Sequence, residues 1–170
     1  MIETRTGNML EEVTEGFMMQ GCNAQGRMGA GIALAIRNKW PIVYDEYMRA
    51  WDNGHPLPIH GTSTTIHLQE LEMGSIIPVR VTPDIIMINA ITQRFYTGHA
   101  FSDGGREVDY EAVAQACESI NNLVLSTVVM EVLHFPLIGA GLAKGNWDII
   151  ASIIDETIDR VEKVLWVLPE

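Results

Sequence analysis

The sequence predicts an α/β fold, a three-layer α/β/α sandwich around a mixed, mostly parallel β-sheet. Short apolar runs alternate with helical patterns along the chain, as in folds built from β–α–β crossovers. The apolar runs are continuous, which is typical of strands buried on both faces of a sheet. The chain has 170 residues and no internal repeat or long linker, so we expect a single domain spanning residues 1–170.

The first half of the chain alternates between strand and helix patterns. A continuous apolar run followed by a turn signal predicts a buried strand at 17–22. Apolar residues at helical spacing from Ile32 predict a helix that ends before Pro41. The later elements are a helix at 42–51 closed by Asn53-Gly54, strands at 64–68 and 75–81 joined by a turn at 72–74, and a buried strand at 85–89. Antiparallel additions to the sheet are expected around residues 59–81.

The second half begins with a polar, glycine-rich segment at 98–106, which we expect to be a mobile surface loop. Asp109 is an N-cap candidate for a long helix whose apolar residues recur every three or four positions from Val113 to Val124. The remaining predicted elements are a strand at 132–136, a helix near 147–160 and a strand at 164–168.

The composition argues against several kinds of partner. The 22 Asp and Glu residues outnumber the 11 Lys and Arg residues, so the formal net charge is −11. Free nucleic acid and anionic membranes need clustered positive charge, and neither is expected to bind. The N-terminus has no signal-peptide pattern, and no apolar run approaches the ~20 residues that span a bilayer. We therefore expect a cytoplasmic protein, and a monomer.

Cysteine and histidine spacing predicts neither a disulfide framework nor a cofactor. Two cysteines, Cys22 and Cys117, are too few for such a framework. We expect both to be free thiols buried in the protein core, in a protein of a reducing compartment. His55, His60 and His67 are spread along the chain without metal-ligand spacing. No metal and no other cofactor is expected.

Two glycine-rich segments each connect a predicted strand to the helix that follows it. They are residues 23–31, NAQGRMGAG, and residues 136–145, PLIGAGLAKG. Glycine lets backbone N–H groups approach a ligand closely, and a helix N-terminus adds its positive dipole end. Because ligands of open α/β sheets bind at the carboxyl ends of the strands, both loops should border one crevice. Two such loops suit a diphosphate without any basic cluster.

Neither loop fits a standard nucleotide-binding motif. Residues 21–26 have the outer glycine spacing of a P-loop, but Arg27-Met28 replaces the Lys-Ser/Thr pair that holds phosphate and magnesium. The run 29–34 ends in Leu34, where a dinucleotide fingerprint has Gly or Ala. The alternative is that these glycines only make tight turns, which two loops at equivalent places disfavour.

The ordered set of motifs resembles a macro domain. The set comprises an early strand, the loop with Asn23 and Gly29-Ala30-Gly31-Ile32-Ala33, the late Pro136-x-Ile138-Gly139-x-Gly141-Leu142 loop, and Thr6-Gly7-Asn8 at the opening Gly-Asp element. The resemblance covers nearly the whole chain. It is closest to the branch, with many phage and bacterial members, that contains ADP-ribose-1''-phosphate phosphatases and terminal ADP-ribose–glutamate hydrolases. It implies a pocket for ADP-ribose or a phosphorylated or ADP-ribosylated derivative.

The resemblance also implies positions for the ligand. Asn8 would read adenine through its carbonyl oxygen, where the family has Asp, and Asn23 would hydrogen-bond the distal ribose. Apart from the resemblance, Tyr96 lies just after the central strand, where it would either shield adenine or the distal ribose or pack within the protein. The expected ligand-binding residues are Asn8, Met9, Gly29, Ala30, Gly31, Ile32, Tyr96, Pro136, Ile138, Gly139, Ala140, Gly141 and Leu142.

The resemblance narrows the reaction as well. Glutamate hydrolases of the family use a Lys after the central Ile-Thr and an Asp in the second loop, where this chain has Gln93 and Ala143. Without that Lys no Schiff-base route exists there, and we expect metal-independent removal of the 1''-phosphate of ADP-ribose 1''-phosphate. The candidate catalytic residues are Asn23, Gln25, Gln93, His99 and Asp103. The alternatives are a binding module without catalysis and an ADP-ribosyl hydrolase of another mechanism.

Overall fold

The computed structural model describes residues 1–126 and 130–170. Its elements, in chain order, are β1 (Ile2–Thr6), α1 (Met9–Glu12), β2 (Gly16–Asn23), α2 (Gly31–Lys39), α3 (Pro41–Asn53), β3 (His55–Pro58), β4 (Thr65–Leu68), β5 (Ile76–Thr82), β6 (Ile85–Gln93), α4 (Tyr110–Leu125), β7 (Val132–Phe135), α5 (Trp147–Thr157) and β8 (Glu162–Val167). Strands and helices alternate through most of the chain, as the sequence predicts.

Six strands form the main sheet in the order β1-β8-β7-β2-β6-β5. In this order, the neighbouring strands β1, β8, β7, β2 and β6 are all parallel to one another. The edge strand β5 pairs antiparallel with β6. The predicted mixed, mostly parallel sheet is therefore confirmed. Since the five parallel strands run the same way, their carboxyl ends lie along one edge, and the chain leaves the sheet there through both glycine-rich segments.

Helices cover both faces of this sheet because β2 is apolar on both sides. Phe17 and Met19 pack into a cluster with residues of α4 and α5, whereas Met18 packs with residues of α1, α2 and α3. All three side chains are at most 2% exposed. The continuous apolar run of β2 thus reflects burial from two directions, and the three-layer sandwich is confirmed.

Most predicted elements lie within a few residues of the observed ones. Asp109 caps α4, its side chain accepting a hydrogen bond from Ala112 N at 3.1 Å. The helix expected near 147–160 ends at Thr157, and residues 98–106 form neither helix nor strand. Within the described residues no helix has both the length and the apolar character needed to cross a membrane.

Three elements have no counterpart in the sequence analysis: β1, α1 and β3. Four of the five β1 residues are exposed, so this edge strand lacks the apolar run by which buried strands are recognised. The strand expected at 64–68 also has a different partner from the one implied, because β4 pairs with β3 and not with β5. The turn between β4 and β5 is instead hydrogen-bonded to the main sheet, where Gly74 N donates to Ile91 O of β6 at 2.8 Å.

Candidate functional site

A cleft lies at the carboxyl ends of β2, β6 and β7. Its volume is about 530 Å³, within the range of ~300–1,000 Å³ usual for small-molecule sites. The residues that line it are Gly21, Cys22, Asn23, Arg27, Gly29, Ala30, Gly31, Ile32, Ala33, Gln93, Tyr96, Thr97, Pro136, Leu137, Ile138, Gly139, Gly141, Leu142 and Ala143. Both glycine-rich segments therefore border one crevice.

The first glycine-rich segment presents the N-terminus of α2 to this cleft. Ala30 is the N-cap residue, and its side chain supplies no capping hydrogen bond. In the described part of the chain, the N–H groups of Gly31, Ile32 and Ala33 have no acceptor, and the first helical bond runs from Leu34 N to Ala30 O at 3.2 Å. Free donors and the helix dipole make this wall of the cleft electropositive without any basic side chain.

The second glycine-rich segment is held in shape by its own backbone. Gly139 has a φ of 68°, and its carbonyl accepts from Gly145 N at 2.7 Å. A Cβ on Gly145 would lie 2.6 Å from that same oxygen. The close approach of residue 145 to Gly139, which closes this loop, therefore requires glycine at position 145. Among the described residues, the N–H groups of Gly141 and Leu142 have no acceptor. The second wall of the cleft therefore also offers free backbone donors.

Two glycines leave room for a ligand. A Cβ built on Gly29 or Gly141 meets no atom within 4 Å, although both residues line the cleft. Neither residue has a φ in the left-handed region. A side chain at either position would occupy empty space in the cleft instead of colliding with the protein.

Asn23 shapes the first glycine-rich segment. Its Oδ1 accepts from Gln25 N at 3.0 Å and from Arg27 N at 3.3 Å, and its Nδ2 donates to Arg27 O at 2.8 Å. The hydroxyl of the buried Tyr47 lies 2.5 Å from Asn23 O and 3.0 Å from Asn23 Oδ1. Burial raises the pKa of Tyr47, so this hydroxyl remains a protonated donor. Among the described residues, Asn23 Nδ2 donates one hydrogen bond, and Asn23 lines the cleft.

Replacing Asn23 by alanine is expected to destabilise the protein by roughly 1–3 kcal/mol, because the N–H groups of Gln25 and Arg27, whose hydrogen bonds to Asn23 are partly buried, lose their acceptor. Denaturant unfolding measures the change. The control is Asn38→Ala, at an exposed position of α2, which should cost no stability because alanine favours helix. Equal stabilities of the two variants would contradict the shaping role of Asn23.

The structure separates the two predicted glutamines. Gln93 lines the cleft at the end of β6, and its Nε2 donates to Phe95 O at 2.7 Å. Gln25 does not line the cleft; its Nε2 donates to Glu70 Oε2 at 3.0 Å, and Arg94 Nε lies 3.2 Å from the same oxygen. Gln25 thus links the first glycine-rich segment to the residues that follow β4.

His99 and Asp103 are also outside the set of residues that line the cleft. The His99 ring stacks on Phe95 with 4.7 Å between ring centroids, and its Nδ1 accepts from Phe101 N at 3.1 Å. Asp103 Oδ1 accepts from Gly105 N at 2.8 Å within a turn. Both side chains stabilise their own loop, and their catalytic roles stay predictions.

Tyr96 lines the cleft together with Arg27 and Thr97, two residues that were not predicted to belong to the site. The Arg27 guanidinium lies 5.3 Å from the Tyr96 ring centroid. Thr97 Oγ1 donates to Leu142 O at 3.0 Å, which joins the loop after β6 to the second glycine-rich segment. Arg27 could have been found from its position inside the first loop motif, whereas nothing in the sequence singles out Thr97.

Asn8, Met9 and Ala140 do not line the cleft. Asn8 is the N-cap of α1: its Oδ1 accepts from Leu10 N at 3.1 Å, and its N–H donates to Glu12 Oε1 at 3.0 Å. Met9 is 3% exposed and packs in the core. The Asn8 oxygen expected to read adenine already accepts from a helix N-terminus, so recognition of adenine by Asn8 stays a prediction.

Ionisable chemistry in the cleft is sparse. Cys22 borders the cleft but is 4% exposed, and burial raises the pKa of its thiol, so it is neither a thiolate nor a ready nucleophile. Cys22 and Cys117 are both buried, as expected. Arg27 is the one charged side chain among the described residues that line the cleft. Within 1–126 and 130–170, no three His, Cys, Asp or Glu side chains come together as a metal site.

Comparisons with known proteins agree with this architecture. No protein-family model matches the chain. An uncharacterised 17.5 kDa protein of Enterobacteria phage T4, from the tk–vs intergenic region, is 26% identical over 147 residues, 85% of this chain and 81% of the phage protein. A macrodomain protein from Streptomyces coelicolor superposes with a TM-score of 0.71 at 22% identity, over 98% of this chain and 99% of that chain. DarTG from Thermosipho africanus, solved in complex with ADP-ribose, superposes with a TM-score of 0.64 at 16% identity, over 91% of this chain and 38% of that chain.

The mixed sheet, its two covered faces and these superpositions define the class of protein. The chain has the macrodomain fold, as its ordered motifs predicted. The proteins that it resembles include phage and bacterial ones.

Proposed function

We propose that the cleft binds ADP-ribose or a phosphorylated or ADP-ribosylated derivative of it. The observation that carries this proposal is the pair of glycine-rich walls, each with backbone N–H groups that have no acceptor among the described residues. Such donors suit the oxygens of a diphosphate. The macrodomain fold supports the proposal, since a DarTG protein, 38% of whose chain superposes on this fold, was solved in complex with ADP-ribose.

The charge of the chain favours this mode of binding. With a net charge of −11, the protein does not attract a dianionic ligand from a distance. Backbone amides and one helix N-terminus act only at contact, so they bind phosphate oxygens without requiring a basic surface. Arg27 adds one cation at the cleft, held beside Tyr96.

Calorimetric titration tests the binding proposal. We expect ADP-ribose to bind more tightly than AMP, because AMP lacks the second phosphate and the distal ribose that the two walls would contact. NAD is the second control, since its nicotinamide adds bulk to the distal ribose. No heat of binding at millimolar ADP-ribose would overturn the proposal.

The reaction we propose at this site is hydrolysis of ADP-ribose 1''-phosphate to ADP-ribose and inorganic phosphate. Water would supply the attacking oxygen, and the bond between phosphorus and the 1''-oxygen would break. The observation in its favour is that the amides of Asn23 and Gln93 line the cleft, where they can orient water or phosphate oxygens. No carboxylate or imidazole of the described residues lines the cleft, so proton transfer would fall to water or to the substrate phosphate.

Phosphate release distinguishes this phosphatase from a binding module. We expect wild type to release inorganic phosphate from ADP-ribose 1''-phosphate, and Gln93→Ala to release it at least about tenfold more slowly, which corresponds to an activation barrier higher by roughly 1.4 kcal/mol. The control is Gln69→Ala, at an exposed position outside the cleft. Binding without phosphate release by wild type would leave the binding module. Release of labelled ADP-ribose from ADP-ribosylated protein would instead identify an ADP-ribosyl hydrolase.

A further inference from the structure

One part of the chain does not pack into the sandwich. The strands β3 and β4 form a separate two-stranded sheet, and we call residues 55–68 the arm. Every residue from 56 to 67 is exposed. An isolated hairpin of two strands is only marginally stable in water, and such hairpins normally gain stability by packing against something else.

The base of the arm is fixed to the body. The His67 ring contacts the carbonyl of Asn53 through Nε2. Gly54 has a φ of 60°, and a Cβ there would overlap Leu68 O at 2.1 Å. The close approach of the chain before β3 to the end of β4 therefore requires glycine at this position. Two residues beyond β4, Glu70 is hydrogen-bonded to Gln25. These contacts present the arm in one orientation.

One face of the arm is apolar. Leu57 pairs directly with Ile66, and residues opposite each other in an antiparallel pair lie on the same face. Ile59, two residues after Leu57, shares that face because side chains alternate along a strand. The exposed fractions of Leu57, Ile59 and Ile66 are 43%, 41% and 43%. In the described part of the chain, no core cluster includes any of the three.

The two edges of the arm differ in their hydrogen-bonding groups. Ile59 N donates to Thr64 O at 2.9 Å, so these two residues form a hydrogen-bonded pair. Hydrogen-bonded and non-hydrogen-bonded pairs alternate along an antiparallel ladder, so Leu57 and Ile66 also bond to each other. The backbone groups of residues 56 and 58 therefore point outward, away from β4. Both outward residues of β3 are prolines, which have no N–H group. The outward residues of β4 are Thr65 and His67, which keep both N–H and C=O. Only the β4 edge can therefore accept another strand with a full set of bonds.

The arm carries no fixed charge. From His55 to Gln69 the sequence contains no Asp, Glu, Lys or Arg, in a chain of net charge −11. An acidic or basic partner would be matched by opposite charges, and the arm offers none. A second copy of this chain is repelled by the acidic body but not by an uncharged strand, so the arm is where two copies can meet.

We propose that two copies of the protein associate through antiparallel pairing of their β4 edges. The twofold axis passes between Ile66 and the partner's Ile66, and Thr65 bonds to the partner's His67. The result is a four-stranded sheet, β3-β4-β4-β3, with the apolar faces of both arms on one side. The contact is isologous, so it closes as a dimer. It differs from the monomer that we expected from the sequence, and a contact limited to two short strands makes the dimer weak and reversible.

A disulfide test locates the axis. Both natural cysteines are buried, so Ile66→Cys introduces the one accessible thiol. In the proposed dimer, Ile66 and the partner's Ile66 form a non-hydrogen-bonded pair. The Cα atoms of such a pair lie ~4.5 Å apart, which is close enough for a disulfide. Under mild oxidation we expect Ile66→Cys to form a covalent dimer. The matched control is Leu57→Cys, equally exposed on the same face, whose Cα atoms would lie three strand spacings apart, ~14 Å, and which should stay monomeric.

A second variant tests the backbone bonds without cysteine. Thr65→Pro removes one outward N–H of β4 and leaves its pairing with β3 intact, while Thr65→Val keeps that N–H. In sedimentation from micromolar to millimolar protein, wild type and Thr65→Val should shift toward dimer with concentration, and Thr65→Pro should remain monomeric. A monomeric wild type throughout, or equal cross-linking of the Ile66 and Leu57 variants, would overturn the proposal. Neither outcome depends on what the cleft binds.

Discussion

Replacing Gly141 by tryptophan is expected to weaken ADP-ribose binding at least about 100-fold, or roughly 2.8 kcal/mol, while the fold stays intact. The Cβ at this position meets no atom within 4 Å, and the backbone is not in the left-handed region. The indole therefore fills space that the proposed ligand needs without straining the protein. Calorimetric titration of variant and wild type with ADP-ribose measures the loss.

The control for added bulk is Ala35→Trp, on the exposed face of α2 and outside the cleft. It should bind like wild type, and all three proteins should unfold at similar temperatures. If the Gly141 variant is folded and binds ADP-ribose with unchanged affinity, the cleft is not the binding site. If neither variant nor wild type binds, the choice of ligand is wrong.

Replacing Phe135 by alanine is expected to destabilise the protein by about 3–5 kcal/mol. Its ring is completely buried at the end of β7, in the cluster between the sheet and the helices α4 and α5. The Trp147 ring lies 6.4 Å away between centroids. Removing the ring leaves a cavity beneath the second glycine-rich segment, which begins at the next residue. Urea unfolding monitored by circular dichroism measures the change.

The same substitution at Phe101 is the matched control. Phe101 is 78% exposed, so Phe101→Ala should change the free energy of unfolding by less than about 1 kcal/mol. Similar losses at the two positions would show that burial in the observed core does not decide the cost. A small loss at Phe135 alone would mean that the α4–α5 face is packed differently.

The sequence by itself determined the layered α/β architecture, because the patterns that specify it are local. A strand buried on both faces carries consecutive apolar residues, as β2 does at Phe17, Met18 and Met19, and a helix packed on one face repeats its apolar residues at helical spacing, as α4 does. Both glycine-rich segments were recognisable for the same reason. Each lies within one stretch of chain, between a strand and a helix, where close backbone approach requires glycine.

Roles that depend on side chains distant in sequence were decided only by the tertiary structure. Asn23 interacts with Tyr47, and Gln25 turns to Glu70 instead of the cleft. His99 has a different explanation: its hydrogen bond and ring stacking involve neighbours in its own loop, yet an irregular loop has no repeating pattern from which to predict them.

The pairing of β4 shows the same limit. Its residues alternate in a way that fits a strand, but alternation does not say which strand lies beside it. The tertiary structure assigns it to β3 and leaves its other edge exposed. Local sequence thus determines which segments are strands and helices, whereas the choice of partners depends on contacts that form only when the chain folds.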